Sequence, residues 1–271
     1  MNVAFVCVNF NGASVTEKFL ASVQSLNDHE AGVSAVSIVV DNASSISDFV
    51  ALKVYCQKCK NVRLIGSPEN LGYFGGLNTG LLSLETATFD YIVIGNNDLT
   101  FDQNFLKELS TRSYPEDVLV IAPNVITRDG YNQNPHCVTR VSAFRKFLYQ
   151  LYYINYGVAC LLTWGAKASK VLRGGRRNEG AYKSQCIHMG IGACYILSKS
   201  FFRHYSKLDD SVFLYGEEAL LAGQVMAVGG KIFYDSNLIV SHAESATLSK
   251  LPSKTTYNFA KASYPKYRPF L

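Results

Sequence analysis

Three polar residues in the N-terminal half stand where chemistry is easily placed. Asn9 follows the apolar run Val3 to Val8, and Asp41 closes Val36 to Val40. Asp98 ends Gly95-Asn96-Asn97-Asp98, directly after Tyr91 to Ile94. Each run is β-prone, and in an open α/β sheet ligands sit beyond the carboxyl ends of the strands, so all three line one edge. A carboxylate there can hold a divalent cation or accept from hydroxyl groups, and a side-chain amide can both donate and accept. Asp and Asn alone also favour turns and helix caps; it is their convergence that points to a site. Further along, Glu217-Glu218 form an acidic pair that suits a general base or the first turn of a helix. His242 follows the apolar run Leu238 to Val240, and His188 precedes Met189-Gly190 without an assignable role.

The elements that must position these residues alternate in kind. Ser14-x-x-Glu17 reads as a capping box, and Val15, Phe19, Val23 and Leu26 recur at helical spacing after the first strand. A helix around Phe49 to Cys56 leads to a strand at Val62 to Ile65. Gly72 to Leu84 reads as a glycine-rich entry into a helix. A helix at Phe105 to Leu109 and a strand at Val118 to Ile121 complete this half. Strand and helix in turn predict a mostly parallel sheet with helices on both faces.

The chain of 271 residues is 48% hydrophobic and 17% charged, which fits one large α/β domain without linkers or repeats. The N-terminus lacks the basic region and long apolar core of a signal peptide. Seven irregularly spaced cysteines do not form a disulfide framework, so a reducing, cytoplasmic setting is expected. Cys56-Gln-Lys-Cys59 is a lone pair without a second set of zinc ligands. The net charge of +5 is uneven: the 131–190 segment carries nine Lys/Arg and the single acid Glu179, leaving −3 for the remainder. Basicity is local, which points to an anionic surface or ligand near that segment.

Taken together and in order, VCVNFNG at 6–12, VVDNASS at 39–45, ENLGYFGGLNTG at 69–80 and IGNNDLTF at 94–101 carry a family resemblance. GIGACYILSKSFF at 190–202, FLYGEEALLAGQ at 213–224 and VSHAESAT at 240–247 continue it. The chain resembles the family 2 glycosyltransferases, especially the bacterial rhamnosyltransferase-like members. The resemblance implies a GT-A fold over 1–247, a nucleotide-diphosphate sugar donor (dTDP- or UDP-sugar), Mg²⁺ or Mn²⁺, and inversion at the anomeric carbon. It also implies a saccharide acceptor, commonly lipid-linked, in surface polysaccharide synthesis of the O-antigen kind at the cytoplasmic membrane face.

Residue by residue, the resemblance puts Asp98 at the last acid of the metal motif, with His242 as a second metal ligand or a donor to a diphosphate oxygen. Here Asn96-Asn97-Asp98 stands where many relatives have two acids, so metal binding should lean on the donor phosphates. Asn9, Asp41 and Asn42 match positions that hold base and ribose, and Asn11 is placed with them at the nucleotide sugar. Asn70, Gly72, Asn78, Asn96 and Asn97 fall to the donor, with Gly192 and Ala193 forming a close wall beneath the sugar. Glu218 aligns with the base that takes the acceptor proton, beside Glu217. Leu220 and Gln224 replace an acid and an arginine common in relatives. The glycines at 72–80 lack GK[ST] and do not read as a phosphate loop. A non-catalytic nucleotide-sugar-binding or assembly module of the same fold is the alternative.

Between Arg145-Lys146 and Lys167, the 147–166 segment has no charged residue and four tyrosines. A single membrane crossing there would separate Asp98 from Glu218, so an interfacial helical segment on anionic lipid is expected, the alternatives being packing on its own domain or an oligomer contact. The basic, aromatic tail 248–271 is expected to meet acceptor or membrane. A nucleic-acid partner is not expected, because the basic patch accompanies an apolar run rather than a binding motif.

Overall fold

The computed structural model describes residues 1–29, 32–173, 183–243 and 253–271. The chain opens with β1 (Asn2–Asn9), α1 (Ala13–His29), β2 (Ser34–Asp41), α2 (Ile46–Cys56), β3 (Val62–Gly66) and α3 (Gly72–Leu82). It continues with β4 (Tyr91–Asn96), β5 (Leu99–Phe101), α4 (Phe105–Thr111), β6 (Val118–Thr127), α5 (Ala143–Tyr152) and α6 (Tyr156–Arg173). The last part holds β7 (Gln185–Ile187), β8 (Cys194–Ser198), α7 (Lys199–His204), α8 (Glu217–Ala227), β9 (Lys231–His242) and α9 (Lys254–Tyr267).

A mixed, nine-stranded sheet of order β3-β2-β1-β4-β8-β6-β9-β5, with β7 on β9, forms the centre, and helices cover both faces. This is the GT-A type of α/β architecture. Strands β1 to β4 are parallel, as their apolar runs predict. Beyond them the parallel pattern gives way: β8 lies antiparallel to both β4 and β6, and β5 and β7 lie antiparallel to β9. In β1 the side chains alternate between two cores, Ala4 and Val6 on one face and Val3, Phe5 and Cys7 on the other. This period of two explains why the run is apolar throughout; burying Phe5 alone is worth about 2 kcal/mol. Asn9 and Asp41 continue the odd-numbered face at the strand ends, paired in register.

Helix α1 starts two residues earlier than a Ser14–Glu17 capping box requires. Gly12 O accepts from Val15 N and Thr16 N, and the Asp48 carboxylate accepts from Ala13 N at 3.0 Å. A carboxylate from α2 therefore does the capping, because it reaches the exposed N–H end of α1 and complements its dipole. Helix α3 lies very close to the sheet. A Cβ on Gly76 would come 2.9 Å from Val8, and one on Gly80 would come 2.4 Å from Val6.

The apolar basic segment is a helical pair rather than one helix. Asn155 breaks it, with its side chain accepting from Val158 N at 3.0 Å. Its tyrosines turn inward: Tyr153 stacks on Tyr264 of α9 at 4.4 Å, and Tyr152 and Tyr156 pack against Tyr257. Phe144, Phe147, Ile154, Leu161 and Trp164 are the apolar residues left exposed. Among the described residues no helix is long and apolar enough to cross a membrane. Within the tail, Tyr264, Tyr267 and Leu271 join the same core as α3 and α8. All seven cysteines are free thiols.

Candidate active site

At the C-terminal edge of the parallel strands, Asn9 is fully buried and wholly occupied. Its amide nitrogen donates to Asp41 Oδ1 and Asp48 Oδ2, both at 2.8 Å, and to Ser44 Oγ at 3.2 Å. Its Oδ1 accepts from Thr16 Oγ1 at 2.8 Å and, longer, from Asn97 Nδ2 at 3.4 Å. Asp41 Oδ2 accepts from Ser44 N. Asn11, exposed at a left-handed φ of 53°, accepts from Ser45 N at its Oδ1 and donates its own backbone N–H to Ser44 Oγ. These bonds lock the turns after β1 and β2 into one rigid floor.

Asn42 extends the floor to the next loop. Its amide donates to Asn70 Oδ1 and Gly72 O, and its oxygen accepts from Leu71 N, each at 2.9 Å. Gly72 has φ +76°, and a Cβ there would lie 2.1 Å from Phe213 O, so only glycine fits. Tyr73 N donates to that same carbonyl, which ties the start of α3 to the loop ahead of α8. Asn78, expected at the donor, is placed elsewhere. It is buried, and both ends of its amide bond the backbone of Leu208 at 2.8 and 3.0 Å. The reason is helical geometry: its side chain leaves α3 toward the loop that precedes α8, and its polar atoms are consumed there.

Asp98 meets His242 across the β5–β9 pair. Asp98 Oδ1 lies 3.1 Å from His242 Nε2, and Asn96 Nδ2 lies 3.4 Å from the same nitrogen. His242 Nδ1 sits 2.8 Å from Gln133 Oε1, an oxygen that can only accept, so Nδ1 carries the hydrogen and Nε2 of the neutral ring is an acceptor. Asp98 Oδ1 is buried, and no donor among the described residues bonds it. With the ring neutral, Nε2 and Asp98 Oδ1 both present lone pairs that a cation between them would satisfy; with the ring protonated, the same contact is an ion pair. Adjacent ligands of an octahedral Mg²⁺ at its usual bond length are about 3 Å apart. The pair fits a divalent metal, and it is a two-ligand set: no group of three or more acidic, His or Cys side chains assembles among the described residues. A cleft of about 410 Å³ opens beside it, lined by Lys18, Thr100, Arg128 and Ser241. A second cleft, of about 400 Å³ near Asp90 and Arg112, lies by the N-terminal ends of β1 and β4 and away from these groups.

Gly192 joins this corner to the acidic pair. Ala193 O accepts from Asn96 N at 2.9 Å, and Gly192 N donates to Glu218 Oε1 at 3.2 Å. A Cβ on Gly192 would lie 2.7 Å from that oxygen, and Tyr73 Oη donates to Gly192 O at 2.9 Å. Burial holds the Tyr73 phenol well above its usual pKa, which keeps it a donor. Glu217 is buried beside Glu218. Burial first, then the Glu218 charge, push its pKa up to about 7, against the backbone N–H groups of Glu217 and Tyr215. The structure therefore gathers Asn96, Asp98, His242, Gly192, Ala193, Glu217 and Glu218 around one corner, with Asn9, Asn11, Asp41, Asn42, Asn70 and Gly72 as its floor.

A model of the glycosyl transferase family 2 matches residues 5–205. The chain belongs to that family. Agl10 of Haloferax volcanii, described as a low-salt glycan biosynthesis hexosyltransferase, is 26% identical to this family 2 chain over 205 residues. The match covers 75% of this chain but 57% of that relative, so the chain spans under two thirds of its length. Among solved structures, GalNAc-T7 with UDP, GalNAc and Mn²⁺ superposes at a TM-score of 0.61 with 12% identity, covering 98% of this chain and 48% of that one. The mannosyltransferase PcManGT of Pyrobaculum calidifontis, in complex with GDP-Man and Mn²⁺, gives 0.56 and 13%, covering 99% and 72%. At these identities the likeness establishes the fold.

Sequence reading passed over Gln133, which fixes the His242 ring, and Tyr73, which fixes Gly192. Asn134 was missed as well; fully buried, it accepts from Ile191 N and donates to Pro123 O. No spacing marks them, since each acts through a bond to a residue distant in sequence. The one available signal for Asn134 is its polarity beside the buried end of β6.

Proposed function

We propose that this family 2 chain transfers a hexosyl or deoxyhexosyl residue, in the manner of the rhamnosyltransferase-like members, from a nucleotide-diphosphate sugar to a saccharide hydroxyl with inversion. The observation that carries the reading is the buried Asp98 Oδ1 facing His242 Nε2, one strand end away from the Glu218–Gly192 contact. When bound, a divalent metal supplies charge neutralisation for the diphosphate leaving group. Asp98 and His242 would hold it. The rigid floor of Asn9, Asp41 and Asn42 orients the nucleotide, with dTDP- or UDP-sugars as the donors to test first. Glu218 takes the acceptor proton as the hydroxyl attacks, and Gly192, lacking a side chain, lets the Glu218 carboxylate close on its N–H and be held there.

A lipid-linked acceptor at the inner face of the cytoplasmic membrane, in bacterial surface polysaccharide assembly, completes the proposal. The exposed apolar residues of α5 and α6 beside Arg145 and Lys146 support that location.

Donor hydrolysis and transfer, with thermal shift across nucleotide sugars with and without Mn²⁺, test the reading. Asp98→Asn should abolish the metal-dependent rise in melting temperature while leaving the ligand-free melting temperature within a few degrees. Glu218→Gln should keep donor binding and lower turnover by about 100-fold or more. A Glu218→Gln enzyme as fast as wild type would refute the assignment of the base.

A further inference from the structure

Just ahead of the acidic pair lies a surface that the donor chemistry does not use. Phe213, Tyr215 and Phe259 are 42%, 38% and 41% exposed, the first two on the loop before α8 and the third on α9. Phe213 and Phe259 come from different parts of the chain, yet their rings stack at 5.4 Å and 25°. Resting on the transfer reading above, we propose that the acceptor saccharide binds on this aromatic shelf, one turn from Glu218.

A pyranose has an apolar face of C–H bonds and a polar rim. A flat, half-exposed ring covers the face without stripping water from the rim, which is why aromatic side chains serve where one side is apolar and the other wet. Tyr215 adds a hydroxyl that has no partner among the described residues and can bond the rim.

The backbone beneath the shelf is specified tightly. Tyr215 and Gly216 are both left-handed, at φ 70° and 99°, and a bulky residue in that region is strained. Such conformations persist where surrounding contacts over-determine them, and they concentrate at ligand sites. Here the contacts come from both sides. Tyr73 N donates to Phe213 O from the donor-side helix, while Ser263 Oγ donates to Leu214 O at 2.8 Å from α9. Lys266 Nζ donates to Ser211 O, and the Tyr267 ring covers Gly216 so closely that a Cβ would lie 2.0 Å from it. Strain held between the donor helix and α9 fixes the shelf relative to Glu218, three residues beyond Tyr215.

Ligand-observed saturation-transfer NMR tests this on the whole chain. The probes are cellobiose, maltose, N,N′-diacetylchitobiose and methyl α-L-rhamnoside, each with UDP, dTDP or GDP and Mg²⁺. Phe259→Ser alters an exposed helix position, and Tyr215→Gly keeps the left-handed backbone, so both variants should fold. At least one saccharide should show saturation of its ring C–H protons, falling by about threefold or more in each variant, the change expected of one aromatic contact. Nucleotide signals should not move. If a nucleotide binds but every saccharide signal is absent, or equal in wild type and variants, the shelf is wrong. If no nucleotide binds the wild type with Mg²⁺, the donor reading itself fails and takes the shelf with it.

Discussion

Glu217 shows how a single buried side chain can report on the site. Its pKa stands at about 7 in the fold, against an ordinary value of 4.5. Between those values the folded chain holds a proton that the unfolded chain has lost, so stability falls as pH rises through that window. The full shift corresponds to about 3 kcal/mol. Glu217→Gln keeps the volume and removes the charge. The variant should therefore gain up to about that much over wild type at pH 8 and little at pH 5, read from urea midpoints. Equal gains at both pH values would show that burial and the Glu218 charge do not govern this carboxyl. At this scale the sequence disclosed which residues were chemical but not what each one faced. Asp98 and His242 were legible from strand ends. Asn78 looked the same as Asn42 on paper, yet its amide is spent on Leu208 and that of Asn42 on the donor-side loop.

Elements were more legible than residues where burial leaves only one pattern. Strand β3 lies at the sheet edge with Arg63 exposed, whereas β1, β2 and β4 bury apolar residues on both faces, which reads as parallel core. Cys194–Ser198 reads identically, but β8 enters antiparallel, because direction depends on the connections and not on composition. The start of α3 was legible as glycine-rich, and the reason is now specific: Gly72 meets Phe213 O. Gly72→Ala should cost about 3 kcal/mol or more, from strained φ and the displaced carbonyl. It should also weaken nucleotide binding, because Asn42 grips Gly72 O. Urea unfolding with nucleotide titration checks this, and a variant as stable as wild type would mean the two loops are not wedged together.

For the whole molecule, the sequence counted cations and aromatics in the 131–190 segment without showing which way they point. The tyrosines, which suggested an interface, pack on α9, whereas Phe144 and Trp164, about 70% exposed, face outward. Vesicle flotation separates lipid contact from oligomer contact. Binding to vesicles containing phosphatidylglycerol should exceed binding to pure phosphatidylcholine and decline with salt. Arg145→Ala with Lys146→Ala should weaken it by roughly thirtyfold, at about 1 kcal/mol per cation near an anionic surface. Phe147→Ser with Trp164→Ser should weaken it on both. Indifference to lipid charge and to both double substitutions, together with a concentration-dependent dimer, would assign the face to a second copy.

The hydroxyl contact between Tyr153 and Tyr267, 2.9 Å long, has a mechanical consequence. Tyr153 closes α5, and the Tyr267 ring rests on Gly216 with no slack, so α5 cannot tilt without pressing on the turn that sets Glu217 and Glu218. The outward-facing helices and Glu218, the proposed proton acceptor, are thus joined through the two contacts that Tyr267 of α9 makes.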